Sequence, residues 1–305
     1  MADRRLQVFH AVAKQLSFTK AADVLFMTQP AVTFQIKQLE EHFNTRLFDR
    51  GHGKISLTPA GDVVLAYAER ILGLSSEMDV RLSEMTGEVG GSLLVGASTT
   101  IAEFMLPRIL GEFKGVYPKV RARLIVGNSE AIETRVAEHS IDIGMIESLS
   151  HQPNLNCDAC CDDELMVICS PKFPLAKFKE LTPQQLLGHP FVSREPGSGT
   201  REFTDAYLRN AGLSIEQLNV VMELGSPVAL NGVVETGLGF SIVSRAAVAT
   251  WQRLGELIAI PLNPRLHRTL SMIYPKEKFR SRVVSAFVEF ATGRMAALKV
   301  VNKLS

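Results

Sequence analysis

Nowhere in the 305 residues do eighteen apolar residues run together, so no segment reads as a membrane span. The opening MADRRLQVFHAVAK mixes acids and bases and lacks the unbroken apolar core of an export signal, which predicts a cytoplasmic location. Charge of one sign is also missing. The formal net charge is +1, which excludes a surface that is basic all over, although residues 1–60 hold eight Lys/Arg against five Asp/Glu. Only four cysteines occur, all in LNCDACCDDELMVICS. A zinc site needs two separated pairs, and Cys160 and Cys161 on a strand would point to opposite faces, so free thiols are expected and no metal or other cofactor. A redox input through Cys157, Cys160, Cys161 and Cys169 stays open.

Nucleotide signatures are incomplete as well. The stretch SREPGSGTREF, residues 193–203, resembles a phosphate loop, with Gly197 and Gly199 flanking Ser198 before a helix start. It lacks the Gly-Lys-Ser/Thr ending of a Walker loop, and Glu202 stands where the dinucleotide fingerprint has its third glycine. What survives is either an anion-holding pattern, with Ser198 or Thr200 capping a helix whose first turn carries Arg201, or an ordinary capped loop.

What is present falls into three segments. In the first, Leu6, Phe9, Val12, Ala13 and Leu16 make one apolar stripe, SFTKAADVLF a second helix capped by Ser17 or Thr19, and TQPAVTFQIKQLEEHF a third. Thr28 is the expected cap of that third helix, with Pro30 in its first turn. Val32, Ile36, Leu39 and Phe43 share one face, and Pro30, Thr33, Phe34, Lys37 and Gln38 lie roughly opposite. A break at Phe26 and Met27 between two such helices is the shape of a helix-turn-helix reader of DNA, a shape that two antiparallel helices of any all-α domain share. Next, LFDRGHGKISLT suits a hairpin wing offering Arg50, His52 and Lys54 to phosphates.

From Pro59 to about Met85 one long helix is predicted. Val64, Ile71, Met78 and Met85 recur every seven residues with Tyr67 and Leu74 three further on, a seam for the same helix of a second chain, the alternative being a lone helix packed on its own chain. TGEVGGSL, residues 86–93, is the linker. Beyond it strands and helices alternate in two series, which predicts parallel sheets in two α/β lobes. Ligands of such sheets sit at the carboxyl ends of the strands. Those ends supply Ser98, Thr99 and Thr100, then Asn128 and Ser129, then Glu147 in the first lobe. In the second they supply Glu195 to Arg201, then Ser226 and Pro227.

FTKAADVLFMTQPAVTFQIKQLEEHFNTRLFDR, residues 18–50, followed by LTPAG, closely resembles the helix-turn-helix of the LysR-type transcriptional regulators. The resemblance covers essentially the whole chain. It implies an α/β protein with a winged helix-turn-helix at 1–58, a linker and dimerisation helix with hinge at 59–91, and a two-lobed, periplasmic-binding-protein-like effector domain at 92–305. Lobe I is expected over about 92–161 plus 268–300 and lobe II over about 162–267. By position, Thr28, Gln29, Pro30, Thr33 and Gln35 match the recognition-helix motif, and Lys37, Arg50 and Lys54 its phosphate-contacting surroundings. Phe34 departs from the Arg of many members, and either touches a thymine methyl or packs. The family further implies homodimers through the linker helix, homotetramers that bend promoter DNA, and a small effector in the cleft, with RNA polymerase an open further contact. REPGSGTRE with IDIGMIE resembles the subgroup governing carbon-dioxide fixation and sulfur or sulfite metabolism genes, which implies an oxyanion, carboxylate or phosphorylated metabolite as effector. Glu147 opposes a bare anion there, and would receive an effector hydroxyl or pair with Arg201.

Three rivals frame that reading. An enzyme on the same fold would need a nucleophile with an activating base, and none of the seven histidines falls at the strand ends. A periplasmic solute receptor would need an export signal and no DNA-binding head. A regulator with a redox or uncharged-ligand input remains.

Overall fold

Ser17 begins the second helix as foreseen. Its hydroxyl accepts from the Lys20 N–H at 3.2 Å, and the left-handed Phe26 closes the helix after eight residues. The computed structural model describes residues 4–49, 55–86, 89–148, 150–276 and 281–301. It divides into two compact units, one built from residues 4–86 with 281–282 and the other from 89–276 and 283–301.

In the first unit α1 (Arg4–Gln15), α2 (Phe18–Leu25) and α3 (Gln29–Phe43) enclose a core of Phe9, Val12, Ala21, Val32, Ile36 and Phe48. Strands β1 (Phe48–Asp49) and β2 (Ser56–Leu57) pair antiparallel as the base of the wing. Arg50, His52 and Lys54 lie outside the described residues. Phe43 and Leu16, expected on apolar faces, are exposed, because each sits at a helix end where the chain turns through a left-handed residue.

Helix α4 (Pro59–Thr86) runs for 28 residues, about 42 Å at 1.5 Å per residue. Val64 does not join the predicted seam: it packs with Leu65 and Ala68 on the core of the first unit. The exposed stripe is Val63, Tyr67, Ile71, Leu74 and Met78, advancing by four or three residues each time. The Met85 side chain is outside the described residues. No helix among the described residues is long and apolar enough to cross a membrane.

The second unit holds one eight-stranded sheet in the order β4-β3-β5-β10-β6-β9-β7-β8. On one side β3 (Gly91–Ser98) pairs parallel with β4 (Val120–Gly127) and β5 (Ile143–Ile146). On the other, β7 (Pro190–Arg194) pairs parallel with β8 (Asn219–Leu224) and β9 (Phe240–Ser244). The expected parallel series is correct within each half and wrong between them. Two long antiparallel strands, β6 (Leu155–Cys169) and β10 (Ile258–Pro275), run through both halves and join them. The helices that line the space between the halves are α5 (Thr99–Phe104), α7 (Ser129–Ala137), α8 (Gly199–Asn210) and α9 (Pro227–Glu235). The helix expected from Ile101 to Lys114 is two, α5 and α6 (Leu106–Val116), because Pro107 cannot donate into a continuous ladder.

Cys160 and Cys161 do not face opposite ways. The β6–β10 register shifts between Leu270 and Ser271, which pair with Cys161 and Ala159, so Cys160 is the extra residue of a bulge and both thiols enter the same core. Burial pushes the Cys160 and Cys169 thiols up to about 11, which leaves them poor nucleophiles.

Candidate functional site

Two surfaces carry the predicted residues. On α3, the buried face of Val32, Ile36 and Leu39 fixes which residues look outward: Pro30, Phe34 and Lys37, with Thr33 beside them. Gln29 is exposed at the start of the helix, and its Nε2 donates to Thr33 Oγ1 at 2.9 Å. Lys37 lies 3.7 Å from Glu41. Gln35 is half-buried at the flank. Thr28 holds the N-cap position with extended backbone, but its hydroxyl makes no cap bond; Pro30 removes one of the two N–H groups such a hydroxyl serves.

In the second unit, the strand-end residues converge on one buried carboxylate. Glu147 Oε1 accepts from the Ser98 hydroxyl at 2.8 Å and the Thr100 N–H at 3.3 Å, so it caps α5. Its Oε2 accepts from Thr200 Oγ1 at 3.0 Å, across the gap from α8, and from Arg268 Nη1 at 2.5 Å. Arg268 also donates to Thr200 Oγ1 at 2.9 Å and, through Nε, to Asp163 Oδ2 at 2.9 Å, while Ser244 closes the chain on Asp163 Oδ1. Burial opposes the Glu147 charge, but Arg268, then Arg194, then the Thr100 and Ser98 donors hold its carboxyl down at about 2. At Asp163 burial prevails over the pull of Arg268 and Ser244 and pushes the carboxyl up. One guanidinium serves both acids, and Glu147, with Arg194 and the α5 terminus besides, keeps its charge the more firmly.

Arg194 is the second buried cation. Its Nη2 reaches Thr99 Oγ1 at 2.9 Å across the cleft, and its Nε holds Glu195 Oε2 at 2.9 Å and the Leu224 carbonyl at 3.2 Å. Ser226, N-cap of α9 with buried Pro227 following, donates to Glu103 Oε1 on α5 at 3.4 Å.

The glycine loop does something other than cradle a phosphate. A Cβ on Gly199 would stand 2.6 Å from Glu147 Cβ and 3.1 Å from Ser129 Oγ, so glycine lets the two halves touch. Asn128, which caps α7, donates through Nδ2 to the Pro196 carbonyl at 3.2 Å, and the Glu130 N–H to that of Gly197 at 3.3 Å. Ser129 Oγ accepts from the Glu147 N–H at 3.2 Å. Arg201 is not part of this cluster: it is spent on Glu223 at 2.5 Å and the Arg194 carbonyl at 3.0 Å. Of the two roles open to Glu147 from sequence, pairing with Arg201 does not occur, and Arg268 takes that place. Ser198, N-cap of α8, is 2 % exposed, and its hydroxyl has no partner among the described residues. Beside α8 a crevice of about 10 Å³, room for one water at most, is lined by Ser193, Arg194, Thr200, Arg201, Thr204 and Asp205 together with the apolar Phe191 and Ile242.

Sequence reasoning missed Arg268, Asp163 and Arg194. A signal existed for the first two: Leu266, Arg268 and Leu270 alternate on one buried face of β10, as Cys161, Asp163 and Leu165 do on β6, and a charge on such a face needs a partner.

Residues 4–62 match the family described as bacterial regulatory helix-turn-helix protein, lysR family, and residues 86–296 match the LysR substrate binding domain. The chain belongs to the LysR family of transcriptional regulators. It is 35% identical over 291 residues, 93% of its length and 94% of the other chain, to a "Probable RuBisCO transcriptional regulator" of Thalassiosira pseudonana. To the protein of the same description in Porphyra purpurea it is 32% identical over 287 residues, 93% of this chain and 90% of that one. Among solved structures it resembles the regulatory domain of CcmR from Synechocystis PCC6803 in complex with 2-PG, at 26% identity and a TM-score of 0.62, covering 67% of this chain and 96% of that one. A full-length variant of AphB shares the fold at 17% identity and a TM-score of 0.71, covering 96% and 99%. This LysR-type protein is thus a DNA-binding transcriptional regulator with an effector-binding domain, like its relatives a regulator and not an enzyme.

Proposed function

We propose that the effector is a small anion, an oxyanion, carboxylate or phosphorylated metabolite, bound between the two halves at the amino terminus of α8. The observation that carries this is Ser198: a buried hydroxyl with no partner among the described residues, at the positive end of a twelve-residue helix, two residues before Thr200, which Arg268 already contacts. The amino terminus of α5 is satisfied by Glu147, that of α7 is capped by the Asn128 side chain, and that of α9 faces Glu103, so α8 is the terminus with an orphan donor. The 2-PG held by the CcmR regulatory domain is such an anion. β6 and β10 serve as the hinge. The contacts at Thr99, Asn128 and Thr200 part to admit the anion and re-form around it.

On the DNA side, Gln29, Pro30, Thr33 and Phe34 face the bases, while Lys37 with Arg50 and Lys54 meets phosphates. Two chains pair through the exposed α4 stripe from Val63 to Met78, whose apolar side chains need cover, and two such dimers form a cytoplasmic tetramer on promoter DNA.

Thermal unfolding of the full-length protein tests the effector reading, with sulfate, sulfite, phosphate, 2-PG and small carboxylates, on wild type and Ser198→Ala. One anion is expected to give a saturable rise equivalent to about 2.7 kcal/mol at a hundred times its Kd, with Ser198→Ala needing several-fold more anion. No shift with any anion, or identical curves for both proteins, would remove α8 as the site.

A further inference from the structure

We propose that Phe34 reads the 5-methyl group of a thymine in the major groove. The inference rests on α3 being the helix that enters DNA, and it gives that helix a base preference which hydrogen bonding alone cannot supply.

The placement of Phe34 leaves few other uses for the ring. It is 57% exposed, on the stripe with Pro30 and Lys37, directly opposite the buried Val32, Ile36 and Leu39. It does not pack, which removes one of the two roles open to it from sequence. A phenyl ring held in water forgoes the burial that normally favours a phenylalanine, and this one stands in line with the exposed Pro30 on the outward stripe, so the face offers an apolar ridge for a partner to cover. What covers it is set by continuity with the rest of the face: Gln29 and Thr33 on one side and Lys37 one turn further on are side chains suited to base edges and phosphate. In the major groove the base edges offer donors, acceptors and one apolar feature, the thymine methyl. Phenylalanine has no group with which to answer the donors and acceptors. Pro30, one turn earlier, extends the apolar ridge along the same line, so methyl groups on neighbouring pairs fit the same surface.

The experiment uses the full-length protein and a duplex site selected by it from random sequence. Each thymine in turn is replaced by uracil, which deletes one methyl and changes nothing else on that edge, and affinities are measured at one fixed salt concentration. Wild type should lose about fourfold at one thymine per half-site, the worth of one buried methyl, and about sixteenfold with both replaced. Phe34→Ala should lose that penalty at that position and keep the others; Phe34→Leu should retain most of it. Placing 5-methylcytosine at the position should bind better than cytosine in wild type and no better in Phe34→Ala. Uracil penalties identical in wild type and Phe34→Ala, or a uniform loss across all sites in Phe34→Ala, would assign the ring to the sugar-phosphate backbone and overturn the proposal. Gln29→Ala in the same assay separates this from an error about α3: if it binds the selected site as wild type does, the helix is not the reader at all.

Discussion

Replacing Arg268 with Met should destabilise the second unit by about 3–5 kcal/mol, the usual cost of removing one partner from a buried ion pair. Arg268 and Glu147 are fully buried, so solvent does not screen the loss. Equilibrium unfolding in urea of Arg268→Met against wild type reads the effect. The triple variant Arg268→Met, Glu147→Gln, Asp163→Asn should recover much of the stability, because no uncompensated buried carboxylate is left. A single-variant loss below about 1 kcal/mol would mean that the guanidinium does not hold the two halves' carboxylates as described. The acid side carries the same signature. The Glu147 carboxyl is depressed from 4.5 to about 2 on folding, so its contribution is fully present above pH 4.5 and disappears as the pH falls toward 2. Asp163 and Glu103, pushed up by burial, act in the opposite sense: their cost is absent in acid and grows as the pH rises through their shifted values. The stability gap between wild type and Glu147→Gln isolates the first contribution, and it should close across that window.

The second large effect belongs to DNA. Gln29→Ala should weaken binding to a selected site by about 1–3 kcal/mol per half-site, about five- to more than a hundredfold, with little change on random DNA. Gln29 is exposed and tied to Thr33 by one amide hydrogen, which orients the other amide atoms toward a base edge without a packing role to confound the result. Fluorescence anisotropy with both duplexes is sufficient. Equal losses on target and random sequence would make Gln29 a backbone contact instead of a base reader.

The first unit was legible because its signals are local. Apolar spacing of three and four, a serine cap and a proline in the first turn all lie within a few residues of the element they define, and α1 to α3 follow them. In the second unit the strand-helix alternation was equally local, so the strand ends, and with them Ser98, Thr100, Ser129, Glu147 and Thr200, were found. What was not legible depends on pairing across about a hundred residues. Leu165 meets Leu266 and Asp163 meets Arg268 only once β6 and β10 lie side by side, and no local pattern states that register. The bulge that sends Cys160 and Cys161 into one core is a property of the same pair. The partner of Arg201 was hidden for the same reason: its position in the first turn of α8 is local, but Glu223 sits on β8.

The measurement that bears most directly on the whole is DNA binding and bending by the full-length protein with and without the anion that raises its unfolding temperature, in wild type and Ser198→Ala. Coupling between cleft and DNA predicts a change of about 5- to 150-fold in DNA affinity, or a changed bend, and the same factor in the anion's affinity when DNA is present, with both displaced to higher anion concentration in Ser198→Ala. An anion that binds the cleft yet leaves DNA affinity and bend untouched would contradict an effector-gated regulator built on this site.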